Sequence, residues 1–157
     1  MGFIFKSIYL LFIKTEIMYE IIQKAHSGIA YLALLALVLA AVNAFMGYSS
    51  KKPFEKKDKM MALFALILCH LQLVLGLVVY FVSPIGFNLL GNMETEARLT
   101  SLEHPLINIL AIALVTIGWS KHKKEESDTG KFKKIAFLYL AGLLFILSRI
   151  PWTNWFN

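Results

Sequence analysis

The stretch Met61–Val82, MALFALILCHLQLVLGLVVYFV, runs for 22 residues without a charged side chain. At about 1.5 Å rise per residue, a helix of that length crosses the roughly 30 Å hydrocarbon core of a bilayer. His70 lies near its middle, with Gln72 close by. An ionisable group at that depth costs about 2.5 kcal/mol or more when charged, so His70 is a candidate functional residue.

Three further apolar runs have the same character. The first extends from about Ile21 to Met46 and carries His26 near its N-terminal end. Ala30, Ala33, Ala36, Ala40 and Ala44 follow at helical spacing, a row of small residues that permits close helix approach. Asn43 lies near that face. Ser83-Pro84 and Gly86 stop the Met61–Val82 helix, because proline cannot continue the hydrogen-bond ladder. The third span runs from about Leu102 to Trp119. Thr100-Ser101-Leu102-Glu103 has the form of a capping box at its start, and Pro105 is tolerated there. The fourth covers about Phe132 to Ile150, with Arg149 in its last turn and Pro151 as its stop. Trp152 and Trp155 suit an interfacial aromatic belt. The expectation is an all-α fold, an integral membrane four-helix bundle spanning residues 18–157. Residues 1–17 read either as an interfacial amphipathic helix or as an extension ahead of a start at Met18.

Charge sets the orientation. The chain of 157 residues is 58% hydrophobic, above the 45–50% usual for soluble domains. Its net charge of +6 is concentrated: Ser49–Lys59 holds five lysines and Lys121–Lys134 six, against one arginine between Ser83 and Thr100. That contrast follows the positive-inside rule and not a nucleic-acid face. Both lysine loops are expected in the cytoplasm, with the middle loop and the two termini outside. A lone cysteine, Cys69, excludes an intrachain disulfide. No Walker loop, nucleophile elbow, HExxH or CxxC is present, so soluble-enzyme chemistry has no support.

Depth decides which polar groups can meet. His26, His104 and Arg149 lie within about five residues of the outer ends of their spans, so they share a level to within roughly 6 Å. His70 is thirteen residues from Ser83, or roughly 20 Å down. Two histidines on facing helices at one level are a familiar way to hold haem iron. The expectation is that His26 and His104 ligate one b-type haem and that Arg149 pairs with a propionate. His70 then serves a second site or hydrogen-bonds across the bundle. Plainer readings stand beside these: a structural hydrogen bond for His70, snorkelling for Arg149, a solvated His122, a capping Glu103 and a packing Gly76.

The segments KAHSGIAYLALL, LCHLQLVLGLVVYF, LEHPLIN and LSRIPW resemble a family of small four-helix membrane proteins of the Bacteroidetes labelled cytochrome b-like. The resemblance covers about Met18 to Trp152. It implies haem b, electron transfer in a bacterial inner membrane, and a quinone or a redox subunit as partner, more than a stand-alone enzyme. The alternative is a cofactor-free small membrane subunit or interaction protein whose polar residues knit the helices together. A third reading is a transporter or proton path using His70 and Glu103.

Overall fold

The computed structural model describes residues 2–155, and side chains over 13–153. The described residues form helices and turns with no strand. Four long helices dominate: α1 (Gly2–Ser50), α2 (Lys56–Val82), α4 (His104–His122) and α5 (Asp128–Ser148). A short α3 (Thr95–Arg98) precedes α4, and a short α6 (Trp152–Trp155) follows α5. Three segments are long and apolar enough to cross a membrane: Ile13–Ser50, Lys56–Val82 and Thr95–His122. The protein is thus an all-α, multi-pass membrane protein. The fourth long helix is shorter in apolar terms, because Lys131, Lys133 and Lys134 occupy its first two turns.

Around the bundle α1 packs on α2, α2 on α4, α4 on α5, and α5 back on α1. The α2–α4 seam is the sparsest of the four. Consequently α1 faces α4, and α2 faces α5, across the two diagonals. The alanine row explains the tight α1 packing: Ala33, Ala36, Ala40 and Ala44 are buried with Leu37 in the central cluster. On the second diagonal, Tyr139 is fully buried and its hydroxyl donates to the Ala62 carbonyl at 3.0 Å. A Tyr in an apolar interior needs such a partner for its O–H. Gly142 allows α5 to approach α4, since a Cβ there would lie 2.9 Å from the Ala111 carbonyl oxygen.

Helix ends follow local chemistry, with one departure. Ser83 closes α2 ahead of Pro84, and Ser127 opens α5 by accepting from the Gly130 amide at 3.1 Å. The capping box expected at Thr100–Glu103 is absent. The chain is already helical from Thr95, and Leu99–Glu103 forms a π-helical turn that runs into α4. Thr100 instead donates to the Glu96 carbonyl at 3.0 Å. Glu103 bridges two arginines, Arg98 at 2.8 Å and Arg149 at 3.2 Å. Helix α1 is continuous from Gly2 to Ser50.

The end of the bundle bearing the lysine loops holds a buried polar cluster. Asp58 is 2% exposed and accepts from Asn43 of α1 at 2.9 Å and from Lys52 at 2.9 Å. Its second oxygen accepts from the Glu55 amide at 3.0 Å. Together these contacts fasten the α1–α2 loop to both helices. His122, expected to be solvated, is instead buried between Phe54 and Trp119, with ring centroids 5.7 and 4.5 Å away. Aromatic neighbours from the loop and α4 enclose it although its sequence neighbours are lysines.

Candidate functional site

The opposite end of the bundle carries the second polar concentration. His26 of α1 and His104 of α4 meet across the diagonal, with ring centroids 6.5 Å apart and planes nearly perpendicular. Gln72 of α2 reaches into the same place. Its amide nitrogen lies 2.9 Å from the His26 carbonyl oxygen and 3.0 Å from His26 Nδ1. A carbonyl can only accept, so the orientation of the Gln72 amide is settled by that contact. Gly76, one turn further along α2, makes room for the imidazole: a Cβ there would lie 3.0 Å from His26 Cε1.

His104 is held from below. Its Nδ1 donates to the Arg149 carbonyl oxygen at 2.8 Å, tying the start of α4 to the end of α5. Asn108 donates to the His104 carbonyl at 2.7 Å. The Arg149 guanidinium is engaged with Glu103 and with the Ser148 carbonyl at 2.8 Å. The π turn at Leu99–Glu103 is what brings Glu103 within reach of both arginines, and such turns often accompany functional sites.

His70 lies elsewhere. It is exposed on α2, about half-way along the helix, and faces the α2–α4 seam. Its Nδ1 bonds the Leu66 carbonyl at 2.8 Å, and Thr116 Oγ1 of α4 lies 3.3 Å from its Nε2. The Thr116 hydroxyl proton is directed to the Ile112 carbonyl at 2.7 Å. His70 therefore has no contact with the His26–His104 pair.

The haem expectation is corrected by this geometry. Among the described residues no group of three or more His, Cys, Asp or Glu side chains could hold a metal ion. The nitrogen-bearing edge of His26 lies against Gln72 and Gly76 of α2, with Gln72 Nε2 only 3.0 and 3.3 Å from the two ring nitrogens. Side chain and backbone of α2 thus fill the place beside the ring where an iron and its macrocycle would stand. Arg149 shares the Glu103 carboxylate with Arg98. His26 and His104 as iron ligands, haem b as cofactor, and a cytochrome's electron transport are withdrawn together.

Between α1, α2 and the π turn with α4 lies a cavity of about 210 Å³. His26, Gln72, His104 and Asn108 line it together with apolar groups including Leu73 and Ile112. No Asp, Glu, Lys or Arg is among its lining residues. Sequence reasoning missed the part played by Gln72. Its signal was the position: Gln72 precedes Gly76 by one turn, and the two share a helix face with Leu73 and Cys69.

No family model, no curated protein and no solved structure matches this chain.

Proposed function

We propose that this protein is a cofactor-free small membrane subunit that docks on a partner membrane protein through the α2–α4 seam. One observation carries the reading: His70 is an ionisable side chain exposed at mid-helix on a face that otherwise consists of large apolar groups. Ile67, Val74 and Leu71 around it are all exposed. A histidine facing lipid at that depth is costly, and membrane proteins turn such residues towards protein or water. Its Nε2 faces a threonine whose proton is directed elsewhere, so the ring retains hydrogen-bonding capacity for a neighbour. Interhelical hydrogen bonds of this kind are worth about 0.6 kcal/mol on average in bilayers, enough to orient a contact whose bulk is apolar packing.

Photocrosslinking tests it. A benzophenone amino acid at Ile67 or Val74, beside His70, should yield a discrete adduct of higher mass in native membranes. The same group at Leu35 or Leu39, on the exposed face of α1, should yield only lipid adducts. Equal adducts from both faces, or none from the seam, would sink the docking assignment. His70→Leu should reduce the seam adduct several-fold.

The reading places the lysine loops in the cytoplasm of a bacterial cell, with α5 as the fourth crossing. Its support is the eleven lysines in those loops against the single Arg98 at the other end. From Ile135 to Ser148 helix α5 is uncharged, about 21 Å of apolar length, and flanking lysines can snorkel. Cysteines at Ser50 and Glu126, in a Cys69→Ala background, should resist an impermeant thiol reagent in intact cells, whereas Met93→Cys should label. Glu126 is chosen because Ser127 caps α5. Labelling at Ser50 and Glu126 with protection at Met93 would invert the topology.

A further inference from the structure

We infer that the cavity at the His26–His104 end binds the hydroxyl head group of a neutral, bilayer-dissolved lipid, its apolar body lying along α1 and α2. The inference goes beyond the docking role, and it concerns the interior of the bundle, not the outward face that carries His70. It begins with the hydrogen-bond inventory of the walls. Gln72 Nε2 is engaged with His26, His104 Nδ1 with the Arg149 carbonyl, Asn108 Nδ2 with the His104 carbonyl, and the Tyr80 hydroxyl with the Ser101 carbonyl at 2.9 Å. Four lining donors are therefore satisfied inside the protein. One buried acceptor is not. Gln72 Oε1 is buried without a partner.

A buried acceptor left without a donor is unfavourable, so what fills this cavity must bring an O–H or N–H. The absence of charged lining residues excludes a phosphate, carboxylate or ammonium head, whose charge would go uncompensated there. A hydroxyl meets both conditions. The other lining groups, among them Ala30, Leu73, Leu77 and Ile112, suit an apolar body and not a water cluster. Two kinds of membrane molecule share this chemistry, a phenolic ring of the quinol type and an aliphatic alcohol.

The test uses the full chain in phosphatidylcholine nanodiscs, with empty nanodiscs subtracted. The probe is 1-naphthol, read by its fluorescence anisotropy. Saturable binding is expected, and 1-methoxynaphthalene, which has the ring but no donor, should bind about tenfold more weakly for the one hydrogen bond lost. Gln72→Leu should erase that preference while leaving the methoxy compound's affinity unchanged. Should Gln72→Leu fail to fold, Ala30→Leu provides the second variant: it fills the cavity from α1 and should abolish binding of both compounds. Displacement of naphthol by decan-1-ol would assign the site to any hydroxyl-headed lipid. Displacement by a short-chain quinol alone would assign it to phenolic rings. Equal affinity for naphthol and its methyl ether, no saturable binding, or full binding in Ala30→Leu would each overturn the inference.

Discussion

Asp58→Ala is expected to destabilise the protein by about 2–3 kcal/mol, somewhat below the roughly 3–5 kcal/mol for breaking a fully enclosed ion pair. The discount reflects Lys52, whose side chain is 32% exposed and can turn to water once its partner is gone. Asn43 has no such escape, because it sits on α1 facing α2 and loses the acceptor for its amide. The Glu55 amide at the start of α2 loses its partner as well. Unfolding in mixed micelles titrated with sodium dodecyl sulfate would measure the change. The double replacement Asp58→Ala with Lys52→Met should recover little of the loss, since Asn43 and the Glu55 amide still lack their acceptor. A single-variant loss under about 0.5 kcal/mol, the range of ordinary surface substitutions, would show that the cluster is a solvated ornament of the loop.

This cluster also marks where the sequence stops being informative. In the string SSKKPFEKKDK an aspartate reads as one more solvated charge, and only the hydrogen bond from Asn43 to Asp58 reveals its burial. His122 is hidden for the same reason: its lysine neighbours point outwards while Phe54, from another segment, covers it. What depends on chain length and period was legible. The apolar runs predict the long helices, and the alanine row at i+3 and i+4 spacing predicts the buried face of α1. Depth counted along each helix also brings His26 and His104 to one level.

What depends on the angle about a helix axis was not legible. Counting residues places His70 at mid-depth but cannot say that Cys69 points inward and His70 outward, one residue and about 100° apart. The T-x-x-E pattern misled for a different reason. A capping box needs the chain to be non-helical at the Thr, whereas here the helix has begun five residues earlier. Glu103 is then available for two arginines, Arg98 nearby and Arg149 from the far end of the chain. The haem assignment failed on side-chain occupancy. Shared depth made His26 and His104 neighbours, but Gln72 and Gly76 of α2 already fill the edge of the ring that a ligand would need.

The largest packing effect is expected at the contact of α1 and α5. Phe132 is fully buried, its ring lies 4.9 Å from that of Phe54, and the Lys52 ammonium stands 5.1 Å from its centroid. Phe132→Ala should cost about 3–5 kcal/mol, the transfer of a large ring plus the cavity it leaves. Gly47 of α1 is the counterpart, because a Cβ built there would lie 2.5 Å from the Phe132 ring. Gly47→Ala alone should therefore destabilise by about 1–3 kcal/mol through overpacking, even though alanine is the better helix former. The double variant separates packing from propensity. With the ring removed, the new methyl at position 47 occupies part of the vacated space instead of colliding. Its cost should vanish, giving a coupling of about 1 kcal/mol or more between the two sites. If the two single losses instead add, Gly47 and Phe132 do not share the space that the structure assigns to them. The α1–α5 contact would then have to be drawn with a different rotation of α5.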